Sequence, residues 1–298
     1  MRESQTAVPS RRAAVGAAAP RYVTVGGVRL AFDEHEHGRG PSIVCLHAIG
    51  HGAGDFALLC RALEDRYRVL ALDWPGQGHS DPDSRPASAE RYAQLLEAFL
   101  AATGVERPLL VGNSIGGAAA LRYAAAHPGQ VRGLVLENPG GLGPADDLAA
   151  RVVLRMMARF FDAGARGGGW FGVAFAAYYR LCVLQRAAAA DQRRRIVASA
   201  YEIAPVLAEA WRGFANPASD LRDLAPRVEC PVLFAWATRD RFVTLSRSLP
   251  AIRRVPNARV ERFPAGHAAH LETPEAFAAA VERFLAEIMP APPRSVAG

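Results

Sequence analysis

Gly112-Asn113-Ser114-Ile115-Gly116 is the stretch that decides how this chain is read. An apolar run, Pro108-Leu109-Leu110-Val111, precedes it, and a helix-forming stretch from Ala118 to Ala126 follows. The pattern is strand, sharp turn, helix, with a serine at the apex. So tight a turn leaves no room for flanking side chains, and glycine two residues either side of the serine removes them. Strain of this kind persists where it does something, here holding a hydroxyl clear of the fold at the head of a helix. The Ile115 N–H then points to where an oxyanion would form. A bare Gly-x-Ser-x-Gly match carries little, because both residues are common in loops; the strand-turn-helix setting carries the inference.

A serine hydroxyl is a poor nucleophile until a base takes its proton, so a base and a group to orient it are needed. Pro231-Val232-Leu233-Phe234-Ala235-Trp236 reads as a buried strand running into Ala237-Thr238-Arg239-Asp240. Arg259-Val260-Glu261-Arg262-Phe263 alternates like a strand and runs into Pro264-Ala265-Gly266-His267. Asp240 and His267 thus each lie just past a strand, on the loops where a parallel sheet displays its chemistry.

With these residues in place the chain resembles the α/β-hydrolase family, and the order Ser114, Asp240, His267 matches that family's triad. The resemblance runs from about Arg21 to about Ile288. It takes in Asp73-Trp74-Pro75-Gly76-Gln77-Gly78-His79-Ser80-Asp81, similar to the family's turn after the fourth strand. It also takes in His47-Ala48-Ile49-Gly50, similar to the oxyanion loop after the third strand, with Ala48 where most members carry glycine. By position the resemblance assigns Ile49 the second oxyanion N–H beside Ile115. It implies nucleophilic attack by Ser114 on a carbonyl carbon, an acyl-enzyme and no cofactor. Relatives that use aspartate at the elbow, haloalkane dehalogenases and epoxide hydrolases, are disfavoured by Ser114.

Rival readings stand beside these. Glu137 ends the strand Val131–Leu136, and some family members place their acid there, so it is the alternative to Asp240. Asp240 could also be a turn or helix-capping residue. His270 lies three residues after His267, but no Glu or Cys completes a zinc set at plausible spacing, so no metal site is expected. His270 reads as packing, His47 and His51 as structural or pocket-wall residues, Asp73 as a turn acceptor and His79 as a surface residue.

Alternation from Arg21 to about Glu36, broken by Gly26-Gly27, predicts a hairpin. Strands follow near 42–47, 67–73, 107–111, 131–137, 230–236 and 258–263. Helices alternate with them near 55–65, 88–103, 115–127, 244–254 and 273–289. That rhythm predicts an α/β fold, with a mostly parallel sheet of about eight strands covered by helices. It stops between Pro144 and Pro226, so 144–226 is expected to be a helical cap inserted into a core made of 21–143 and 227–290. Aromatic residues and methionines concentrate in the cap; most should hold it together, but some must roof the cleft. His47, Phe161, Trp170 and Tyr178 are the expected pocket residues, and an apolar acyl or aromatic substrate follows.

Composition sets the outer bounds. Half of the 298 residues are hydrophobic and 21% are charged, a globular balance. No apolar run reaches the ~18–20 residues of a membrane span. Residues 1–20 read as a disordered tail, since no apolar stretch of export-signal type follows Arg11-Arg12. The four cysteines show no C-x-x-C pairing, and a cytoplasmic protein with reduced thiols is expected. All 35 basic residues are arginine. Within 151–227 there are twelve arginines against six acids, a surplus equal to the whole chain's formal charge of +6. A solvated helical face explains that surplus most simply, with steering of a carboxylate-bearing substrate as the alternative.

Nucleic-acid binding has no supporting motif. The partners expected are a small ester or carbonyl substrate and no membrane, for a monomer or homodimer. Three functions remain: a serine esterase or lactonase, a carbon–carbon bond hydrolase of vinylogous diketo acids, and a non-hydrolytic ligand-binding protein of this fold.

Overall fold

The computed structural model describes residues 19–35, 38, 40–144 and 147–289, so most of the expected 1–20 tail lies outside the described residues. The predicted hairpin forms as β1 (Arg21–Val25) and β2 (Val28–His35), with Val25 opposite Val28 across Gly26-Gly27. The strand–helix alternation follows as β3 (Gly40–Leu46), α1 (Ala57–Leu63), β4 (Tyr67–Leu72), α2 (Ala89–Thr103), β5 (Leu109–Asn113), α3 (Ile115–Ala126) and β6 (Gly133–Glu137). Four helices come next: α4 (Leu148–Ala165), α5 (Phe171–Tyr178), α6 (Ala190–Ala198) and α7 (Ala200–Gly213). The chain then returns through β7 (Val232–Ala237), α8 (Leu245–Ile252), β8 (Ala258–Phe263), α9 (Ala269–Glu272) and α10 (Pro274–Ile288).

The eight strands form one sheet in the order β1-β2-β4-β3-β5-β6-β7-β8, antiparallel at β1-β2 and β2-β4 and parallel from β4 onward. Its two faces follow from the period-2 alternation of the strands. Val44, Leu46, Leu110, Leu134 and Phe234 pack with α2 and α3 on one face. Ile43, Cys45, Val111, Val135 and Leu233 pack with α1 and α10 on the other. Helix starts obey local chemistry: the Ser88 side chain caps α2 by accepting from the Arg91 N–H, and Asp147 caps α4 by accepting from the Ala150 N–H.

Parallel register brings the C-terminal ends of β3, β5, β6, β7 and β8 to one edge. Leu46 lies opposite Gly112, Asn113 opposite Glu137, Glu137 opposite Ala235, and Ala237 opposite Phe263. Helices α4 to α7 form an insertion between β6 and β7. Its interior is an aromatic cluster in which Phe161 meets Phe171, Phe175 and Trp211 at ring-centroid distances of 6.4, 6.3 and 6.0 Å. Such edge and tilted contacts add to simple area burial.

Candidate active site

Ser114 sits between β5 and α3 with φ 55° and ψ −117°, a region a residue with Cβ enters only under strain. The surroundings impose it. A Cβ at Gly112 would lie 2.6 Å from the Gly117 Cα, and one at Gly116 would lie 2.3 Å from the Leu46 carbonyl oxygen. Backbone packs against backbone on both sides, and neither can yield. The Ser114 N–H donates to the Glu137 carbonyl at 2.9 Å, tying the turn to the end of β6.

His267 lies on the loop between β8 and α9. Its Nδ1 and the Asp240 Oδ2 are 2.6 Å apart, and the Asp240 side chain is fully enclosed. Asp240 Oδ1 accepts from the backbone N–H groups of Phe242 at 2.8 Å and Val243 at 3.0 Å, and Asn138 Nδ2 donates to Oδ2 at 2.8 Å. A carboxylate so surrounded by donors is held in place and fixes the imidazole with Nε2 free. Burial pulls the His267 pKa down, but the Asp240 charge and hydrogen bond outweigh it, so the net displacement is upward from 6.5.

Backbone contacts hold the histidine loop from two directions. Asn113 Nδ2 donates to the His267 carbonyl at 3.0 Å, and the His267 N–H donates to the Val183 carbonyl of the insertion at 2.8 Å. A Cβ at residue 266 would meet that same Val183 oxygen at 2.4 Å, which is why glycine precedes the histidine. Glu272 gathers the Gly266 N–H at 2.6 Å and the Arg186 N–H at 3.3 Å, together with the Gln185 N–H, so one buried carboxylate links insertion and loop. Asn113, Asn138 and Glu272 were not anticipated. For Asn113 and Asn138 the available signal was a polar residue ending, or directly after, a buried strand; Glu272 closes α9 and carries no such signal.

Ser114 and His267 open on a cavity of about 360 Å³ whose wall also includes Ile49, Ile115, Leu154, Trp211 and Phe242. No hydrogen bond joins Ser114 to His267 among the described residues, and such bonds are often long before substrate arrives. Ile115 opens α3, so its N–H has no intrahelical acceptor. Ile49 follows β3 in the neighbouring loop. That loop is secured by the Gly50 N–H, which donates to Gln77 Oε1 at 2.6 Å.

Of the four expected pocket residues, Tyr178 lines the cavity and three do not. His47 is sealed behind the loop. Its Nδ1 meets the Ala48 carbonyl at 2.6 Å, its Nε2 accepts from the Trp74 N–H at 2.9 Å, and burial holds its pKa below the ordinary range. Phe161 is fully buried because its position on α4 turns it into the aromatic cluster. Trp170 stands at the outer end of α5, 56% exposed.

The rival residues also find places. Glu137 is neither solvated nor at the mouth of the cleft: it is 1% exposed, accepts from the Ala269 and His270 N–H groups, and has His270 Nδ1 2.6 Å from its Oε2. His270 stacks on Phe56 at 4.5 Å, a packing role. Asp73 accepts from the Ala53 N–H at 2.6 Å and the His79 N–H at 2.8 Å, as a turn acceptor should. His51 faces the cavity with its Nδ1 2.5 Å from Asp55 Oδ2. Among the described residues no group of three His, Cys, Asp or Glu could hold a metal ion, and no helix is long and apolar enough to cross a membrane.

This sheet order, the strained serine after β5 and the histidine after the last strand define one class of fold. A family model described as alpha/beta hydrolase fold matches residues 41–274, and the chain belongs to that family. It is 32% identical over 260 residues to the polyketide synthase ThaQ of Burkholderia thailandensis, a match covering 85% of this chain but only 12% of that protein. It is 30% identical over 292 residues to a 2-hydroxy-6-oxononadienedioate/2-hydroxy-6-oxononatrienedioate hydrolase of Cupriavidus pinatubonensis, covering 89% of this chain and 94% of the relative. Among solved structures, a bacterial membrane phospholipase A superimposes with a TM-score of 0.76 at 28% identity, covering 92% of this chain and 87% of the other.

Proposed function

We propose that this protein is a serine hydrolase that opens a carboxylic ester or lactone through an acyl-enzyme. The observation that carries the reading is the His267–Asp240 pair at 2.6 Å, opening on the same cavity as the strained Ser114. His267 Nε2 takes the Ser114 proton as Oγ attacks the substrate carbonyl carbon. The Ile49 and Ile115 N–H groups stabilise the resulting oxyanion, a contribution of about 3 kcal/mol for each donor in comparable sites. The tetrahedral centre collapses, the carbon–oxygen bond to the leaving alcohol breaks, and His267 returns the proton to that oxygen. Water then attacks the acyl-enzyme with His267 again as base, freeing the acid and Ser114. The insertion acts as a cap: its Val153, Leu154 and Trp211 and the core's Val243 make an apolar bed for the acyl or aromatic part.

Turnover of p-nitrophenyl esters from acetate to decanoate tests this. Dependence on chain length is expected, since a bounded apolar cavity discriminates by length; no turnover of any ester would defeat the ester reading. The pH profile is a second check. Catalysis needs the neutral imidazole, and the His267 pKa lies above 6.5. kcat/KM should therefore climb with pH through a midpoint above 6.5 and be lost below it. A midpoint below 6.5 would mean that Asp240 does not face the working histidine.

A second reading is carbon–carbon bond hydrolysis of a vinylogous diketo acid. It is favoured by Arg241 on the cavity wall, placed for a substrate carboxylate, and by the named activity of the Cupriavidus relative. Release of a 2-hydroxydienoate from a 2-hydroxy-6-oxo-dienoate, with esters left untouched, would select it.

A further inference from the structure

The inner side of α4 roofs the cavity through Ala149, Ala150, Val153 and Leu154. Its outer side is not the charged face such a helix ordinarily turns to water. Leu148, Val152 and Met156, spaced i, i+4, i+8, are 78%, 55% and 57% exposed and form one row. Phe160 extends the row by one turn, and the exposed Trp170 packs on it at 5.9 Å. Arg151, Arg155 and Arg159, each three residues beyond a member of the row, are exposed and form no ion pair among the described residues. The base of the helix is fixed to the core, because Asp147 pairs with Arg247.

An apolar row beside a row of unpaired arginines along one helix is the pattern of a helix that lies in a lipid interface. A row of four apolar side chains along one helix, with Trp170 beside it, falls short of the ~800 Å² per partner that a stable protein interface buries. A bilayer imposes no shape complementarity, and its phosphates suit the guanidinium groups. The basic surplus of 151–227 then has a use beyond solvation. We propose that the outer face of α4 docks on an anionic lipid surface, so that the cavity behind the same helix receives the ester of a membrane lipid. The second half of that statement rests on the ester-hydrolase reading; the docking does not.

Flotation of the full chain with phosphatidylcholine vesicles, with and without phosphatidylglycerol, tests the docking. Binding to the anionic vesicles is expected, falling with salt. Arg151→Gln/Arg155→Gln/Arg159→Gln should lower it roughly a hundredfold, since each basic residue near such a surface contributes about 1 kcal/mol. Leu148→Ser/Val152→Ser/Met156→Ser should lower it as well, with turnover of soluble p-nitrophenyl esters unchanged in both variants. Ser114→Ala should float like the wild type, so that docking and hydrolysis fail separately. Failure to bind anionic vesicles, or binding that survives both triple variants, would overturn the proposal. So would a dimer in light scattering that Leu148→Ser/Val152→Ser/Met156→Ser dissociates, because a second copy would then cover this face.

Discussion

Ser114→Ala is expected to lower kcat on any ester the protein turns over by about 10⁴-fold or more, while the fold stays intact. The size of the effect follows from the division of labour. Every proton that His267 moves, with Asp240 orienting it, serves the making or breaking of the acyl bond to the serine oxygen, so removing that atom silences all three. Retained turnover above about a tenth of wild type would remove the serine from the mechanism. Stability provides an independent check, because φ 55° strains alanine as it strains serine but costs glycine little. Ser114→Gly should therefore melt above Ser114→Ala, by an amount corresponding to about 1 kcal/mol or more, with both variants inactive. Equal melting of the two would mean that the turn stores no strain.

Why the elbow could be read in the sequence while its supports could not is a matter of range. Gly112, Ser114 and Gly116 act on one another within a single turn, so their spacing alone expresses the constraint. Asp240 and His267 could be placed because each directly follows a strand. Asn138 acts across the sheet: its side chain reaches Asp240 and bonds the Ala237 N–H at 2.7 Å only because β6 lies beside β7. Glu272 gathers amides from the insertion and the histidine loop, a meeting that no local pattern encodes. Composition shows that aromatic residues concentrate in the insertion. It could not give how far along each helix the cavity extends: Phe161 lies about two turns beyond the cavity-lining Leu154 on the same face of α4, where the aromatic cluster encloses it. The outer apolar row was hidden for a related reason: a search for ~20 apolar residues does not see a row spaced by four.

The competition between the two carboxylates can be settled by Asp240→Asn against Glu137→Gln. Asp240 uses both oxygens only as acceptors, from the Phe242 and Val243 N–H groups, Asn138 Nδ2 and His267 Nδ1. An amide in its place must turn its NH2 toward one of these donors. Facing His267, it would force the proton from Nδ1 to Nε2, where it blocks uptake of the serine proton; a kcat loss of about 10⁴-fold is expected. Glu137 holds the start of α9 and His270 instead, so Glu137→Gln should leave kcat within about tenfold. It should lower stability by about 1–3 kcal/mol, as expected when a buried hydrogen-bond network is disturbed. Burial lowers the His270 pKa, but the Glu137 charge and hydrogen bond, joined by the Asp55 charge, together raise it by more, to above 6.5. A raised histidine pKa stabilises the fold below the unfolded-state value and ceases to do so as pH rises through the folded-state value. The stability deficit of Glu137→Gln should therefore be largest below pH 6.5 and shrink on the alkaline side. If instead Glu137→Gln removed activity and Asp240→Asn retained it, the acid that orients His267 would be Glu137.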